Sequence, residues 1–138
     1  MFVTREADYA IRCVLFLSGS PGRVVSASEI SESMSIPRVF LAKILQRLTK
    51  KMLVTSTKGA RGGFQLLKTP EEISVLAVIE AIQGPSAANA CAIDASVCTL
   101  SGSCVVHPLW IEIREIVDEK LRTETFATLL RKSHKDNT

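Results

Sequence analysis

Residues 90 to 108 read ACAIDASVCTLSGSCVVHP and contain three of the four cysteines and one of the two histidines of the chain. Six residues separate Cys91 from Cys98, five separate Cys98 from Cys104, and His107 follows three positions later. Thiolates and imidazoles are ligands that suit zinc, copper(I) and iron–sulfur clusters. Because these gaps are longer than those of a zinc knuckle, the pattern favours an iron–sulfur cluster, which accepts ligands from an open loop. Two alternatives stay open: the cysteines are buried apolar side chains, or two of them form a redox-switch disulfide.

Length and composition favour a reducing, cytoplasmic compartment for these cysteines. The 138 residues are 46% apolar and 22% charged, which suffices for one core that needs no cross-link. Glu6 and Asp8 interrupt the N-terminal segment, where a signal peptide would carry only basic and apolar residues. No stretch reaches the ~20 apolar residues of a membrane helix, so we expect no membrane partner. Cys13 falls in the apolar pattern of the first helix, and we assign it to the core.

The charges are segregated along the chain. Between Ser33 and Pro70 there is no acidic residue, so this block carries +8 and the remainder −5, giving the net +3. A charge run is often only a solvated face, but segregation this complete favours a polyanionic partner such as nucleic acid. The eight basic residues of the block are Arg38, Lys43, Arg47, Lys50, Lys51, Lys58, Arg61 and Lys68.

The elements that must position this block are predicted to be three helices and a hairpin. A first helix is expected over 4–17, a short second helix from Ser26 or Ser28, and a third from Pro37 to about Lys51. Leu41, Ile44, Leu45 and Leu48 form an apolar stripe on the third helix, which leaves a basic and polar outer face. A short helix, a tight turn and a second amphipathic helix form the helix-turn-helix pattern.

Residues 53–67, LVTSTKGARGGFQLL, alternate strand-forming side chains around a glycine-rich turn and predict a hairpin, the wing of a winged-helix domain. The glycines predict turn geometry with a positive φ, since no Gly-Lys-Ser/Thr phosphate loop is present. The third helix would enter the major groove, and Arg61 would reach the minor groove. The candidate DNA-contacting residues are Ser28, Arg38, Val39, Phe40, Lys43, Gln46, Arg47, Lys50, Lys58 and Arg61.

The C-terminal half predicts a surface for dimerisation. A fourth helix is expected over 71–84, a long helix from Pro108, and a last short helix after Thr123. The long helix has an apolar stripe too broad for a solvent-facing appendage, so we expect it to pair with a second copy. The candidate dimerisation residues are Leu109, Trp110, Ile113, Ile116, Val117 and Leu121. We therefore expect a DNA-binding domain over 1–84, a cysteine loop over 85–107, a dimerisation and C-terminal region over 108–132, and a flexible tail over 133–138.

The strings SIPRVFLAKILQRL and GARGGFQLL, together with C-x6-C-x5-C, resemble the Rrf-two family of bacterial winged-helix repressors, and in particular its iron–sulfur branch typified by IscR and NsrR. The resemblance spans 4–130. It implies a mainly α winged helix-turn-helix fold with a small hairpin wing and a long C-terminal dimerisation helix. It also implies a homodimeric transcriptional regulator of double-stranded DNA with a two-fold operator, a repressor that senses redox state, nitric oxide or iron–sulfur status. One 2Fe–2S or 4Fe–4S cluster per subunit is implied as the sensor.

Within this resemblance the fourth cluster ligand is either His107 or Asp8 donated by the partner subunit. Asp8 has a plain alternative, an ion pair with Arg12 or Arg5, and His107 an alternative as a cap of the helix that follows it. Six residues separate the first two cysteines, whereas several members of the iron–sulfur branch have five there. The competing function is a metal-free regulator of the same fold that uses a thiol switch, a small molecule or a protein effector. We expect no enzyme, because the chain has neither a paired carboxylate site nor a Ser/His/Asp set.

Overall fold

The computed structural model describes residues 3–136 and folds them into six α-helices and one antiparallel hairpin. In chain order the helices and strands are α1 (Arg5–Ser18), α2 (Ala27–Met34), α3 (Arg38–Lys50), β1 (Val54–Thr57), β2 (Gly63–Leu66), α4 (Val75–Gln83), α5 (His107–Thr123) and α6 (Phe126–Asp136). Short 3₁₀ turns lie at Pro70–Glu72, Ala90–Ala92 and Ala95–Val97. The prediction of a mainly α winged helix-turn-helix with a small hairpin and a long helix near the C-terminus is confirmed.

Local side-chain caps fix where α1 and α2 begin, and α2 is the first helix of the helix-turn-helix. The Thr4 hydroxyl accepts the Ala7 N–H at the start of α1, and the Ser26 hydroxyl accepts the Glu29 N–H at the start of α2. Helix α2 ends at Ser35, whose φ of 54° turns the chain sharply into α3. The apolar stripe predicted for α3 is buried, and it packs against α1 and α4. These contacts leave the opposite face of α3 exposed.

The wing is a two-stranded hairpin that is joined by backbone hydrogen bonds to the segment just before α2. Strand β1 pairs with β2 in a register that sets Val54 opposite Leu66. Val25, just before α2, exchanges two backbone hydrogen bonds of 2.7 and 2.8 Å with Phe64 of β2. Only glycine fits at position 63, because a Cβ there would clash with the Val25 carbonyl. Gly59 has a φ of 108° in the turn, so the predicted positive φ is confirmed.

The predicted fourth helix over 71–84 is wrong at its start. The 3₁₀ turn at 70–72 is closed by a capping box between Thr69 and Glu72, and the chain is extended at Ile73 before α4 begins. The Ile73 carbonyl accepts the Phe126 N–H at 3.1 Å. This backbone hydrogen bond to the α5–α6 junction keeps Ile73 extended, so the helix cannot begin before it. The Ser74 hydroxyl then caps α4.

Helix α6 belongs to the same core as α1. Phe126 is fully buried, and α6 packs against α1 and the 3₁₀ turn at 70–72. The helix continues to Asp136, so the tail predicted over 133–138 starts too early, and residues 137–138 lie outside the described residues. No helix in the described part of the chain has the length and apolar character to cross a membrane.

Candidate metal centre and nucleic-acid interface

Three cysteines and one histidine line a single cavity of about 410 Å³ between the loop after α4 and the start of α5. They are Cys91, Cys98, Cys104 and His107, with Trp110 beside them. The sequence predicted these four donors, and the structure brings them to one place. Cys91 is buried, Cys104 is half-buried and Cys98 is exposed, so the cavity opens to solvent on one side.

Short turns in the loop set the positions of the donors. Asp94 accepts hydrogen bonds from the Ser96 hydroxyl at 2.7 Å and the Ser96 N–H at 2.9 Å, which hold the pKa of Asp94 below its ordinary value. The Cys104 N–H donates to the Leu100 carbonyl at 2.7 Å. Pro108 occupies the first turn of α5, directly after His107, where a missing N–H costs nothing. The loop is therefore a chain of tight turns rather than a coil.

Two contacts fasten the loop to α5. His107 Nδ1 lies 3.2 Å from Cys91 Sγ. About two turns further along α5, Arg114 Nη1 donates to the Ala92 carbonyl at 2.7 Å. The Arg114 Nε lies 3.4 Å from Asp118 Oδ2, an ion pair whose geometry does not satisfy the Nε hydrogen bond. A displacement of the turn at Cys91 therefore moves groups that contact α5 directly.

The donor set fits an iron–sulfur cluster by its chemistry and by the size of its cavity. Thiolate sulfur with one imidazole nitrogen is a ligand set that such clusters accept. A volume of about 410 Å³ lies within the range of small-molecule and cofactor sites. Across residues 3–136, no three histidine, cysteine or acidic side chains are grouped tightly enough to hold one metal ion in common. The four donors instead line the walls of a wider space.

The other two predicted chemical residues lie elsewhere. Cys13 is buried in α1 among apolar side chains, and burial raises the pKa of its thiol to about 12. The carboxylate of Asp8 is 2.8 Å from the Arg12 guanidinium, which also stacks 5.4 Å above the Tyr9 ring. Asp8 is therefore engaged one turn along its own helix and does not line the cysteine cavity of its own chain.

The basic face of α3 is exposed and partly pre-organised. Arg38 donates to the Ser28 hydroxyl at 2.6 Å, so α2 helps hold this guanidinium at the helix start. Val39 and Lys43 are exposed beside it. Phe40 is 38% exposed, and its ring centroid lies 5.8 Å from that of Tyr9. These predicted residues form one continuous outer surface.

Further along α3, the predicted residues divide between two surfaces. Gln46 and Lys50 line a groove of about 560 Å³ between α3 and the wing, together with Phe64. Arg47 turns the other way: its guanidinium lies 3.2 Å from Glu6 and donates to the Ile82 carbonyl at 3.1 Å. Arg47 thus links α3 to α1 and α4. It is also the only one of the eight basic residues to form an ion pair within the described range.

The wing and α5 complete the exposed surfaces. Lys58 and Arg61 are exposed at the tip of the hairpin, as predicted for a wing. Helix α5 spans 17 residues and buries none of them within the chain. Leu109 and Ile116 are 49% and 63% exposed. The remaining candidate dimerisation residues, which are half-buried, are Trp110, Ile113, Val117 and Leu121.

Residues 3–132 match the Rrf2 family, which is described as iron-dependent transcriptional regulators. The chain belongs to the Rrf2 family. The match covers the helix-turn-helix, the wing, the cysteine loop, α5 and the first seven residues of α6. The resemblance drawn from the sequence strings is confirmed. Rrf2 proteins are DNA-binding transcriptional regulators rather than enzymes, so the predicted absence of enzymatic activity follows from the family.

Curated relatives agree with this membership, and solved structures share the fold. The HTH-type transcriptional regulator IscR of Sodalis glossinidius is 31% identical over 131 residues, covering 94% of this chain and 79% of the relative. The fold matches that of T. potens IscR with a TM-score of 0.82, at 22% identity, covering 100% of this chain and 92% of the other. It also matches CymR, the global cysteine regulator of B. subtilis, with a TM-score of 0.77, at 24% identity, covering 94% and 95%.

Sequence reasoning missed the roles of three residues in this Rrf2 protein, two that line the cavity and one that holds its loop. Arg114 was not singled out, although it fastens the loop to α5. Ser101 gives no signal of its own in the sequence, yet it forms part of the cavity wall. Trp110 was assigned to the dimerisation stripe, and it also borders the cysteines. No local pattern marks any of them, because the cavity forms only where the folded loop meets α5.

Proposed function

We propose that this Rrf2-family regulator is a repressor that holds an iron–sulfur cluster on Cys91, Cys98, Cys104 and His107, and that the cluster state sets its affinity for DNA. The observation that carries the proposal is the convergence of these four donors on one cavity. Family membership and the 31% identity to an IscR protein support it. The cluster is of the 2Fe–2S or 4Fe–4S type, one per subunit, and its signal is redox state, nitric oxide or iron–sulfur supply.

His107 is the fourth ligand in this proposal. It lies at the cavity, 3.2 Å from Cys91 Sγ, and it is the first residue of α5. Asp8 is held by Arg12 at 2.8 Å and would have to leave that ion pair to reach a cluster in a partner subunit. The choice of His107 costs no existing ion pair.

An iron–sulfur cluster supplies a one-electron couple and iron that can be lost to oxidants or nitric oxide. The protein contributes the path by which that change reaches DNA. Cys91, Cys98 and Cys104 lie on successive turns of one loop, so holding all three at one point fixes the loop. The loop in turn is fastened to α5 through His107 and through Arg114. Release of the cysteines therefore frees α5 to shift.

The proposed homodimer forms through α5. None of the 17 residues of this helix is fully buried, and Leu109 and Ile116 are exposed, so part of its apolar side is left uncovered within the described chain. A second copy of α5 would cover it in a two-fold arrangement. The two helix-turn-helix units of the dimer, held at a fixed separation, then match a two-fold DNA site, and a shift of α5 changes that separation.

On DNA, the exposed face of α3 would lie in the major groove and the wing tip over the minor groove. Arg38 and Lys43 are exposed on the outer face of α3, and Lys58 and Arg61 on the wing. Arg38 is held by Ser28, which reduces the entropy lost when it contacts a phosphate or a base. The lack of acidic residues between Ser33 and Pro70 leaves this surface without repulsion toward phosphate.

Anaerobic purification of the full chain tests the proposal. We expect a brown protein with iron and sulfide, sedimenting as a dimer of the 15.0 kDa chain. Trp110 is the only tryptophan and borders the cavity, so cluster loading should quench intrinsic fluorescence and cluster removal should restore it. Binding of duplex DNA should differ between the loaded and the cluster-free protein. A colourless anaerobic protein whose DNA binding follows a thiol oxidant would contradict the proposal and favour the metal-free thiol switch.

The identity of the fourth ligand predicts unequal effects of two alanine variants. We expect His107→Ala to lower iron and sulfide content and shift the visible absorption spectrum, while Asp8→Ala leaves both near the wild-type level. The reason is that only His107 lines the cavity of its chain. Iron and sulfide assays and absorption spectra of anaerobic preparations measure the difference. The reverse ranking would assign the ligand to Asp8 of the partner subunit.

A further inference from the structure

A serine hydroxyl without a partner lies in the wall of the cysteine cavity. The Oγ of Ser101 is buried, and no group in residues 3–136 forms a hydrogen bond with it. The residue lines the cavity together with Cys98 and Cys104. A buried hydroxyl without a hydrogen bond is costly, and folded proteins leave few of them. The Ser101 hydroxyl therefore needs a hydrogen-bond partner, and the cavity that this residue lines is where one would bind.

The backbone, and not a partner of the side chain, places this hydroxyl. The Ser101 N–H donates to the Cys98 carbonyl at 3.2 Å, and the Cys104 N–H donates to the Leu100 carbonyl at 2.7 Å. These two turns hold Ser101 between the second and third cysteines. Ser103 makes an instructive contrast, because it is exposed and its hydroxyl donates to the Leu100 carbonyl at 3.5 Å. Two serines of one loop thus differ in burial and in partner.

We infer that the Ser101 hydroxyl donates a hydrogen bond to a sulfur atom, thiolate or sulfide, of the cluster in this cavity, and that this hydrogen bond raises the cluster's reduction potential. The inference rests on the proposed function. Reduction by one electron from an external reductant adds one negative charge to the cluster, and no bond to Ser101 forms or breaks. A donor beside the sulfur stabilises the more negative form more strongly, so it makes reduction easier. Ser101 acts on the cluster through this hydrogen bond and is not a ligand to iron.

The test compares matched serine variants of the anaerobically purified, loaded full chain. Ser101→Ala removes the buried hydroxyl, Ser101→Thr keeps a hydroxyl at that position, and Ser103→Ala makes the same change at the exposed position. Each is titrated with dithionite while the visible absorption is followed. We expect Ser101→Ala to make reduction roughly tenfold less favourable, which lowers the midpoint potential by about 59 mV for a one-electron couple. Ser103→Ala should keep the wild-type potential, and Ser101→Thr should lie closer to wild type than Ser101→Ala does.

The outcomes separate this inference from the proposed function. If the wild-type chain binds no iron and sulfide, both are overturned. If it binds the cluster and Ser101→Ala shifts the potential no more than Ser103→Ala does, only the inference about Ser101 is overturned, and water satisfies the hydroxyl. If Ser101→Ala fails to hold the cluster, loading of Ser101→Thr at the wild-type potential supports the role of the hydroxyl. Failure of both variants to load would overturn it in favour of a packing role.

Discussion

Replacing Cys98 or Cys104 with alanine is expected to abolish cluster binding and to lower iron and sulfide content by roughly 100-fold or more. Removing a group that only orients a metal ligand already lowers metal affinity by 10- to about 100-fold, and these cysteines are proposed as ligands themselves. Both thiols line the cavity, and neither forms a disulfide. Neither is part of the apolar core, so alanine at these positions removes a donor without opening a large cavity. The loss of cluster should therefore occur in a folded protein. Iron and sulfide assays, the visible spectrum and the recovered fluorescence of Trp110 measure it.

Cys13→Ala is the matched control for these two variants. The same substitution is made there on a thiol that is fully buried in α1 and whose pKa is raised to about 12, which keeps it protonated and poorly suited as a ligand. We expect Cys13→Ala to keep the wild-type cluster content, with a loss of stability on the order of 1 kcal/mol from the missing sulfur atom. Equal cluster loss in all three variants would contradict the assignment of the cavity. Full retention in Cys98→Ala and Cys104→Ala would contradict it as well.

The helix-turn-helix and the wing could be predicted from sequence because their signals are local. The caps at Thr4 and Ser26, the buried stripe of α3 and the turn glycines all act within a few residues of one another. The break at Ile73 could not be predicted in the same way. Its extended backbone is held by Phe126, far along the chain, so the helical pattern of 71–84 was overridden by tertiary pairing.

For the site, sequence spacing identified the donors but not their arrangement. Cys91, Cys98 and Cys104 were recognisable by residue type and separation. The contacts that organise them join residues 16 and 22 positions apart, His107 with Cys91 and Arg114 with Ala92. A loop of short turns has no period from which such contacts can be read. The same limit applies to Arg47, which helical geometry set on the exposed face and which instead pairs with Glu6, 41 positions away.

Arg38→Ala and Lys43→Ala are expected to weaken binding of duplex DNA and to flatten its dependence on salt. Each removed phosphate contact should lower the slope of log affinity against log salt by about 1. The proposed dimer would carry each substitution twice, so the slope should fall by about 2. At low salt we expect an affinity loss of roughly tenfold. Arg38 is held toward the outer face by Ser28, and Lys43 is exposed on the same face of α3.

The measurement is a salt titration with a fluorescently labelled duplex of mixed sequence, which needs no knowledge of the operator because phosphate contacts do not depend on sequence. Arg131→Ala is the control, since it removes the same charge from an exposed position of α6, outside the helix-turn-helix and the wing. It should leave the slope near that of wild type, because only phosphates in contact with the protein release their counterions. Equal slopes in all three variants would show that net charge alone drives binding, and that the face of α3 is not the surface that meets DNA.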